Sequence, residues 1–296
     1  MNTVGCAGQG ELCRMSDQGQ PLLSVIVAAY NSAATLQQCL DSVISQTFDN
    51  AELIVIDGGS SDGSLELLRT HSRHIAYCVS EPDRGIYHAW NKALAQARGD
   101  WICFLGSDDY LWNEQVLARV ATQLARVPDD INVAYSQVNL VDMGGKLLYP
   151  IGESWSLVKD RFRQQMCIPH PSVLHRSRLF RQHGIFDESF HIAGDYELLL
   201  RELKDKDAFF MPDIIFSAMR QGGISSALGN TLSALREVRV AQRKNGLRWP
   251  GRIWLLALVR AYLRALAWLV LGEKRTRVVL DWGRRLRGLP RHWTRT

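Results

Sequence analysis

Residues 22–64 read LLSVIVAAYNSAATLQQCLDSVISQTFDNAELIVIDGGSSDGS, and the change of period inside this stretch decides the fold class. Residues 23–29 are an apolar run of strand length, and 34–46 place apolar residues at helical spacing. Residues 53–57 are a second apolar run, followed by a helical pattern over 63–71. The alternation continues with apolar runs at 75–80 and 101–105 around a helical segment at 86–97. Near-continuous apolar strands separated by amphipathic helices predict an α/β fold, with a mostly parallel sheet covered on both faces. Ligands of such sheets bind beyond the carboxyl ends of the strands, which directs attention to the residues just after each run.

Beyond Asp109 the pattern loosens into α+β. It predicts helices over 113–126, 155–165 and 194–203, strands at 133–140, 172–176 and 214–219, and a turn at 143–146. The last 60 residues are helical in pattern, broken near Trp249-Pro250-Gly251 and at Gly272. Residues 1–20 hold no long apolar run and read as a disordered leader, neither a secretory signal nor an anchor. The expected organisation is a leader (1–20), a catalytic domain (21–225) and a basic helical region (226–296).

The chain has 296 residues, 46% apolar and 22% charged, enough to bury a sizeable core and unlike collagenous, coiled-coil or low-complexity sequences. Six cysteines without a C-x-x-C pair make neither a disulfide scaffold nor a standard zinc site, and Cys39 and Cys103 read as reduced core residues of a cytosolic protein. Charge is strongly polarised. Residues 1–235 hold 19 Lys and Arg against 27 Asp and Glu, whereas residues 236–296 hold 16 against 3. So basic a block needs an anionic partner: nucleic acid, anionic lipid or an acidic protein.

Several strand-end residues can carry chemistry. Asp57 precedes the turn Gly58-Gly59-Ser60-Ser61-Asp62-Gly63; Asp62 suits a helix cap, but a turn and a cap leave Asp57 without a structural reason, and its carboxylate suits an N–H donor such as a pyrimidine imide. Tyr30 offers a flat ring, or a tyrosine at the core edge. Adjacent Asp108 and Asp109 repel one another unless a cation or hydroxyl donors intervene, which suits Mg²⁺ or Mn²⁺; the alternative is a solvated acidic turn. Arg84, in Glu81-Pro82-Asp83-Arg84-Gly85-Ile86-Tyr87, suits a diphosphate or a salt bridge to Asp83 or Glu81. Asp195 at the start of a predicted helix is a cap or a base, with Glu197 nearby, and His170 between two prolines is a surface residue or a ligand for metal or phosphate.

Taken in order, Ser24–Asn31, Ile56–Ser64, Phe104–Asp109 and Gly194–Leu198 resemble the motifs of family 2 glycosyltransferases with the GT-A fold, over residues 21–219. Glu81–Tyr87 and Leu105–Asp109 are further similar to the bacterial branch that builds O-antigen and other surface polysaccharides on lipid-linked acceptors. The resemblance implies inverting transfer from a nucleotide diphosphate sugar, commonly a UDP-sugar, to a polyprenyl-linked saccharide, with Mn²⁺ or Mg²⁺ on the diphosphate. Carried over, Tyr30 would stack on the base and Asp57 accept from it, Asp108 would meet the ribose and Asp109 the metal, Arg84 would steady the leaving diphosphate, and Asp195 would be the catalytic base. Gly106 stands where the family often has an Asp, and Gly194 where an acidic residue often precedes the base, which leaves Glu197 as a rival.

Gly106 and Gly194 keep a catalytically inactive nucleotide-sugar-binding homologue as an alternative, and two other readings lose ground. A dinucleotide-dependent oxidoreductase needs G-x-G-x-x-G where this chain has Ala28-Ala29-Tyr30-Asn31-Ser32. A nucleic-acid-binding role for the tail leaves the acidic strand ends without purpose, so no nucleic acid is expected. Residues 253–271 approach spanning length, but Arg260 and Arg264 favour a helix lying on the membrane surface. Trp254 and Trp268 would sit at the headgroups, and the clusters at 274–277 and 284–287 would meet anionic lipid. The expected location is cytoplasmic, peripheral on the inner face of the cell membrane through residues 251–296; a helix packed on the catalytic domain is the alternative.

Overall fold

The computed structural model describes residues 11–14, 20–222, 230–286, 288 and 294. The expected domain boundary at 225/226, residue 287 of the last basic cluster, and most of the leader lie outside them.

The strands are β1 (Glu11–Arg14), β2 (Leu23–Ala29), β3 (Ala51–Asp57), β4 (Tyr77–Ser80), β5 (Trp101–Gly106), β6 (Tyr110–Leu111), β7 (Val133–Val141), β8 (Leu147–Ile151), β9 (Leu174–Arg176) and β10 (Phe209–Arg220). The helices are α1 (Ala33–Ile44), α2 (Ser64–Thr70), α3 (Ile86–Leu94), α4 (Val116–Leu124), α5 (Trp155–Phe162), α6 (Ser177–His183), α7 (Gly194–Leu203), α8 (Thr231–Lys244), α9 (Arg252–Leu271) and α10 (Glu273–Arg285). One sheet runs in the order β1-β4-β3-β2-β5-β9-β7-β10-β6, with β8 paired to β7.

Strands β4, β3, β2 and β5 are parallel, in the predicted βα alternation. The other half is mixed: the short β9 runs antiparallel to both β5 and β7, and β10 returns parallel to β7. A strand of three residues carries too few apolar positions to announce itself, and α6 after it was not foreseen. The leader expectation also needs correction, because Glu11–Arg14 pairs antiparallel with β4 along the outer edge of the sheet.

Period-two alternation sends Val25, Val27, Val55 and Cys103 to one face, under α1, α2 and α4. Ile26, Ile54, Ile56 and Phe104 go to the other, under α3, α5 and α7. Cys39, Cys78 and Cys103 are buried within these layers. The tail is docked on the helical layer over the second face through α8, which packs against α7.

Candidate active site

The four parallel strands end on one edge, and their turns are laced together. Asn31, at φ 46°, is the one non-glycine with positive φ among the described residues. Its backbone N–H donates to Ser60 Oγ (2.8 Å), and its Oδ1 accepts from Ser61 N–H (2.9 Å). Asp62 accepts from Ala33 N–H (2.9 Å) and from Ser64, and so serves the starts of both α1 and α2.

Asp57 is fully buried and has the structural task that the sequence did not reveal. It accepts from Gly59 N–H (3.1 Å), Ser60 N–H (2.9 Å), the Ser60 hydroxyl and the Ser80 hydroxyl (2.6 Å), and so pins its own turn to the end of β4. Tyr30 is 66% exposed, with its ring Cδ2 close to Gly58. A Cβ on Gly58 would lie 2.7 Å from Asp83 Oδ2 and 3.2 Å from the Tyr30 ring, so glycine permits this approach.

Arg84 is paired with Glu188, from the loop before α7, rather than with Asp83 or Glu81; Glu81 pairs with Lys92 at 2.9 Å. Its guanidinium is largely exposed, and such a pair contributes little that a diphosphate could not replace.

Asp108 and Asp109 follow β5 on the same edge. Asp109 is 5% exposed; burial first, then the Asp108 charge, push its carboxyl up to about 8, opposed by a hydrogen bond from Arg220 N–H (2.9 Å). Asp108 Oδ1 and Asp109 Oδ2 lie 2.7 and 3.1 Å from where a Gly106 Cβ would stand, so the missing side chain leaves the space on which both carboxylates converge. Two oxygen donors, with the remaining positions open to phosphate and water, fit Mg²⁺ or Mn²⁺. His170 does not join them: among the described residues no three His, Cys, Asp or Glu side chains gather as a metal-holding group. Its ring instead stacks on Trp90 (5.1 Å) near Phe104 and His175, where burial pushes it down to about 3 and leaves it neutral.

Asp195 and Glu197 have opposite surroundings. Glu197 is buried and bidentate to Arg201, with Asn245 adding a bond to Oε1 (3.2 Å). Asp195 has no such cation among the described residues. Burial pushes its carboxyl up to about 6, the Glu237 charge acting in the same direction, while bonds from Tyr196 N–H (2.8 Å) and Tyr87 Oη (3.4 Å) pull it down.

The sequence profile of Glycosyl transferase family 2 matches residues 24–190. The chain belongs to that family. A PGL/p-HBAD biosynthesis glycosyltransferase of Mycobacterium bovis is 28% identical over 214 residues, covering 70% of this chain and 80% of its own length. An uncharacterized glycosyltransferase of Mycobacterium tuberculosis is 34% identical over 183 residues, 61% of this chain and 68% of that one. Among solved structures, Staphylococcus aureus TarS 1–349 in complex with UDP-GlcNAc superposes with a TM-score of 0.59 at 21% identity. That match covers 74% of this chain and 66% of TarS 1–349, so the chain spans just under two thirds of it. The mannosyltransferase PcManGT of Pyrobaculum calidifontis, in complex with GDP-Man and Mn²⁺, gives 0.55 at 18% identity, covering 96% of this chain and 83% of that one. The fold of this family 2 glycosyltransferase is GT-A, with the C-terminal helices added.

Three residues of the glycosyltransferase's candidate site escaped the sequence reading. Arg220, at the tip of β10, donates to the Asp108 carbonyl and to Gln38 and lies over the Tyr110 ring, and its own N–H meets Asp109. The sequence pattern ended that strand one residue short. Tyr87 sat within a quoted motif without a role; its hydroxyl accepts from Gly194 N–H (2.8 Å). Glu237 is one of three acidic residues in the basic tail.

Proposed function

We propose that this glycosyltransferase transfers a sugar, with inversion, from a UDP-sugar to a hydroxyl of a polyprenyl-linked saccharide during synthesis of a cell-surface polysaccharide such as O-antigen. The observation that carries the reading is the separation of roles along one edge: Tyr30 and the Asp57 turn at β2 and β3, the Asp108–Asp109 pair at β5, and Asp195 apart from them on α7. A carboxylate with its affinity for protons raised, and no neutralising cation among the described residues, suits removal of a proton from an attacking hydroxyl. Inversion needs one such base, and Glu197 is committed to Arg201. On the donor side, Tyr30 would stack on the base and Asp108 would accept from the ribose. Arg84, released from Glu188, would steady the diphosphate. A divalent cation on Asp109 would supply charge neutralisation for the leaving diphosphate when bound. The UDP and UDP-GlcNAc complexes of TarS favour a uridine donor, and the GDP-Man complex of PcManGT makes GDP-mannose the comparison to run.

The lipid-linked acceptor is supported by the tail. Leu255, Leu256, Val259, Tyr262, Leu263, Leu266, Leu269 and Val270 form an exposed apolar stripe along α9, and Val278, Val279, Trp282 and Leu286 are exposed at helical spacing on α10 and just beyond. Single exposed apolar residues are ordinary; a continuous stripe within a strongly basic segment suits the surface of an anionic bilayer at the cytoplasmic face. Two details of the sequence expectation change. Trp254 donates to the Leu235 carbonyl (2.9 Å), and Arg264 reaches Thr231 Oγ1 (2.6 Å), so both serve the packing of α9 on α8. Trp249 and Trp282 are the exposed indoles among the described residues of the tail.

The test is release of free nucleotide from a panel of UDP- and GDP-sugars with Mn²⁺ or Mg²⁺ and a prenyl-linked saccharide. Turnover of a UDP-sugar only when the acceptor is present supports the reading. Turnover with GDP-mannose alone overturns the uridine assignment, and binding without turnover of any donor overturns catalysis.

A further inference from the structure

We propose that Glu237, on α8 of the C-terminal region, is a positioning residue for the reaction, holding the loop that presents Asp195; this rests on Asp195 being the base.

Residues 191–193 lead into α7, and their N–H groups point the same way. Glu237 takes all three: His191 N–H at 3.1 Å on Oε1, and Ile192 and Ala193 N–H at 2.8 Å each on Oε2. Ala193 is the N-cap of α7, and its carbonyl accepts the helix's first bond, from Glu197 N–H (3.0 Å). The next N–H, of Gly194, goes to Tyr87 Oη on α3. The backbone that carries Asp195 is therefore clamped from two sides by side chains of different elements. Unsatisfied N–H groups at a helix start attract an anion, and here a carboxylate from about 40 residues downstream supplies it.

The clamp also fixes the neighbourhood. A Cβ on Gly194 would lie 2.8 Å from the Tyr87 ring, so no side chain fits immediately before the base. The second carboxylate near Asp195 arrives from α8 instead. Tyr87 on α3 hydrogen-bonds Asp195 directly, and the nearest titratable residues along its own stretch of chain are His191 in the loop and Tyr196, Glu197 and Arg201 on α7. Glu197 is neutralised by Arg201, and Lys244 on α8 is paired with Asp187. Glu237 is accordingly the charge that strengthens Asp195 as a base, in the same direction as burial.

The experiment compares full-length wild type with Glu237→Gln, Glu237→Ala and Glu237→Asp, using nucleotide release from the UDP-sugar identified by the panel. Glu237→Gln keeps one acceptor and loses the charge. Its kcat is expected to fall about tenfold with the donor KM within about twofold, and the acid limb of its pH profile to move to lower pH. Glu237→Ala is expected to lose hydrogen-exchange protection at residues 191–193 as well, and Glu237→Asp to recover part of kcat. Unchanged kcat and acid limb in the Gln and Ala variants overturn the proposal. So does a parallel fall in kcat, KM and Tm with an unmoved acid limb, which would make Glu237 a structural cap only. Asp195→Asn, run alongside, separates the premises: normal turnover there removes the base assignment, whereas an inactive Asp195→Asn beside unaltered Glu237 variants removes only this inference.

Discussion

Asp195 and Glu197 stand two positions apart on α7, and their surroundings divide their chemistry. Replacing Asp195 by Asn preserves shape and removes the proton acceptor, so kcat should fall by at least about a hundredfold with donor affinity intact, read by single-turnover nucleotide release and donor titration. Glu197→Gln should instead lower Tm more than kcat, because Arg201 and Asn245 lose a charged partner in a buried setting. The reverse order of severity would exchange the roles. With Asp195 as the proposed base, and at saturating divalent cation so that Asp109 is held ionised, the rate should rise through about pH 6 and level off above it. At the donor end, Asp109→Ala should abolish Mn²⁺- or Mg²⁺-stimulated turnover, by about a hundredfold or more, while the circular dichroism melt stays cooperative. Full activity of the wild type in excess EDTA would contradict that.

Among the elements, the turns after β2 and β3 behave as one unit, because Ser60 receives Asn31 N–H while donating to Asp57. Ser60→Ala leaves a donor and an acceptor without partners at a nearly buried position and should cost about 1 to 3 kcal/mol in denaturant unfolding. A cost below the error of the measurement would show that water replaces the hydroxyl. This pair of turns also marks what a linear sequence conceals. Strands β2 to β5 and helices α1 to α3 were legible because their apolar periods are long and local, and α7 began and ended where its pattern did. The short β9 was expected two residues too long, and β6, β8 and α6 were not foreseen: the two residues of β6 depend on pairing with the distant β10, β8 is a largely solvent-facing strand hairpinned to β7, and the seven residues of α6 are too few for a helical period to show. The candidate residues were legible as strand-end positions. Their partners were not: Asp57 with Ser80, Arg84 with Glu188, and Asp195 with Tyr87 join segments 23, 104 and 108 residues apart.

For the whole molecule, the exposed stripe on α9 should set where the enzyme works. Leu263→Asp with Val270→Asp, both exposed, should leave Tm unchanged and weaken co-sedimentation with phosphatidylglycerol vesicles by at least about tenfold. Retained binding would place the contact elsewhere, and a change in oligomeric state instead would make the stripe a contact between copies. At the far side of the sheet, β1 lies along β4 with Glu11 opposite Val79 and Arg14 opposite Tyr77. A form of the protein starting at Gln20, a natural choice for anyone who takes the first residues as dispensable, would bare the outer backbone groups of β4. An open strand edge is a template for another chain. Such a trimmed enzyme should keep its chemistry and lose its solubility, with light scattering that grows with concentration; on that outcome a stretch of four residues would be the guard against aggregation.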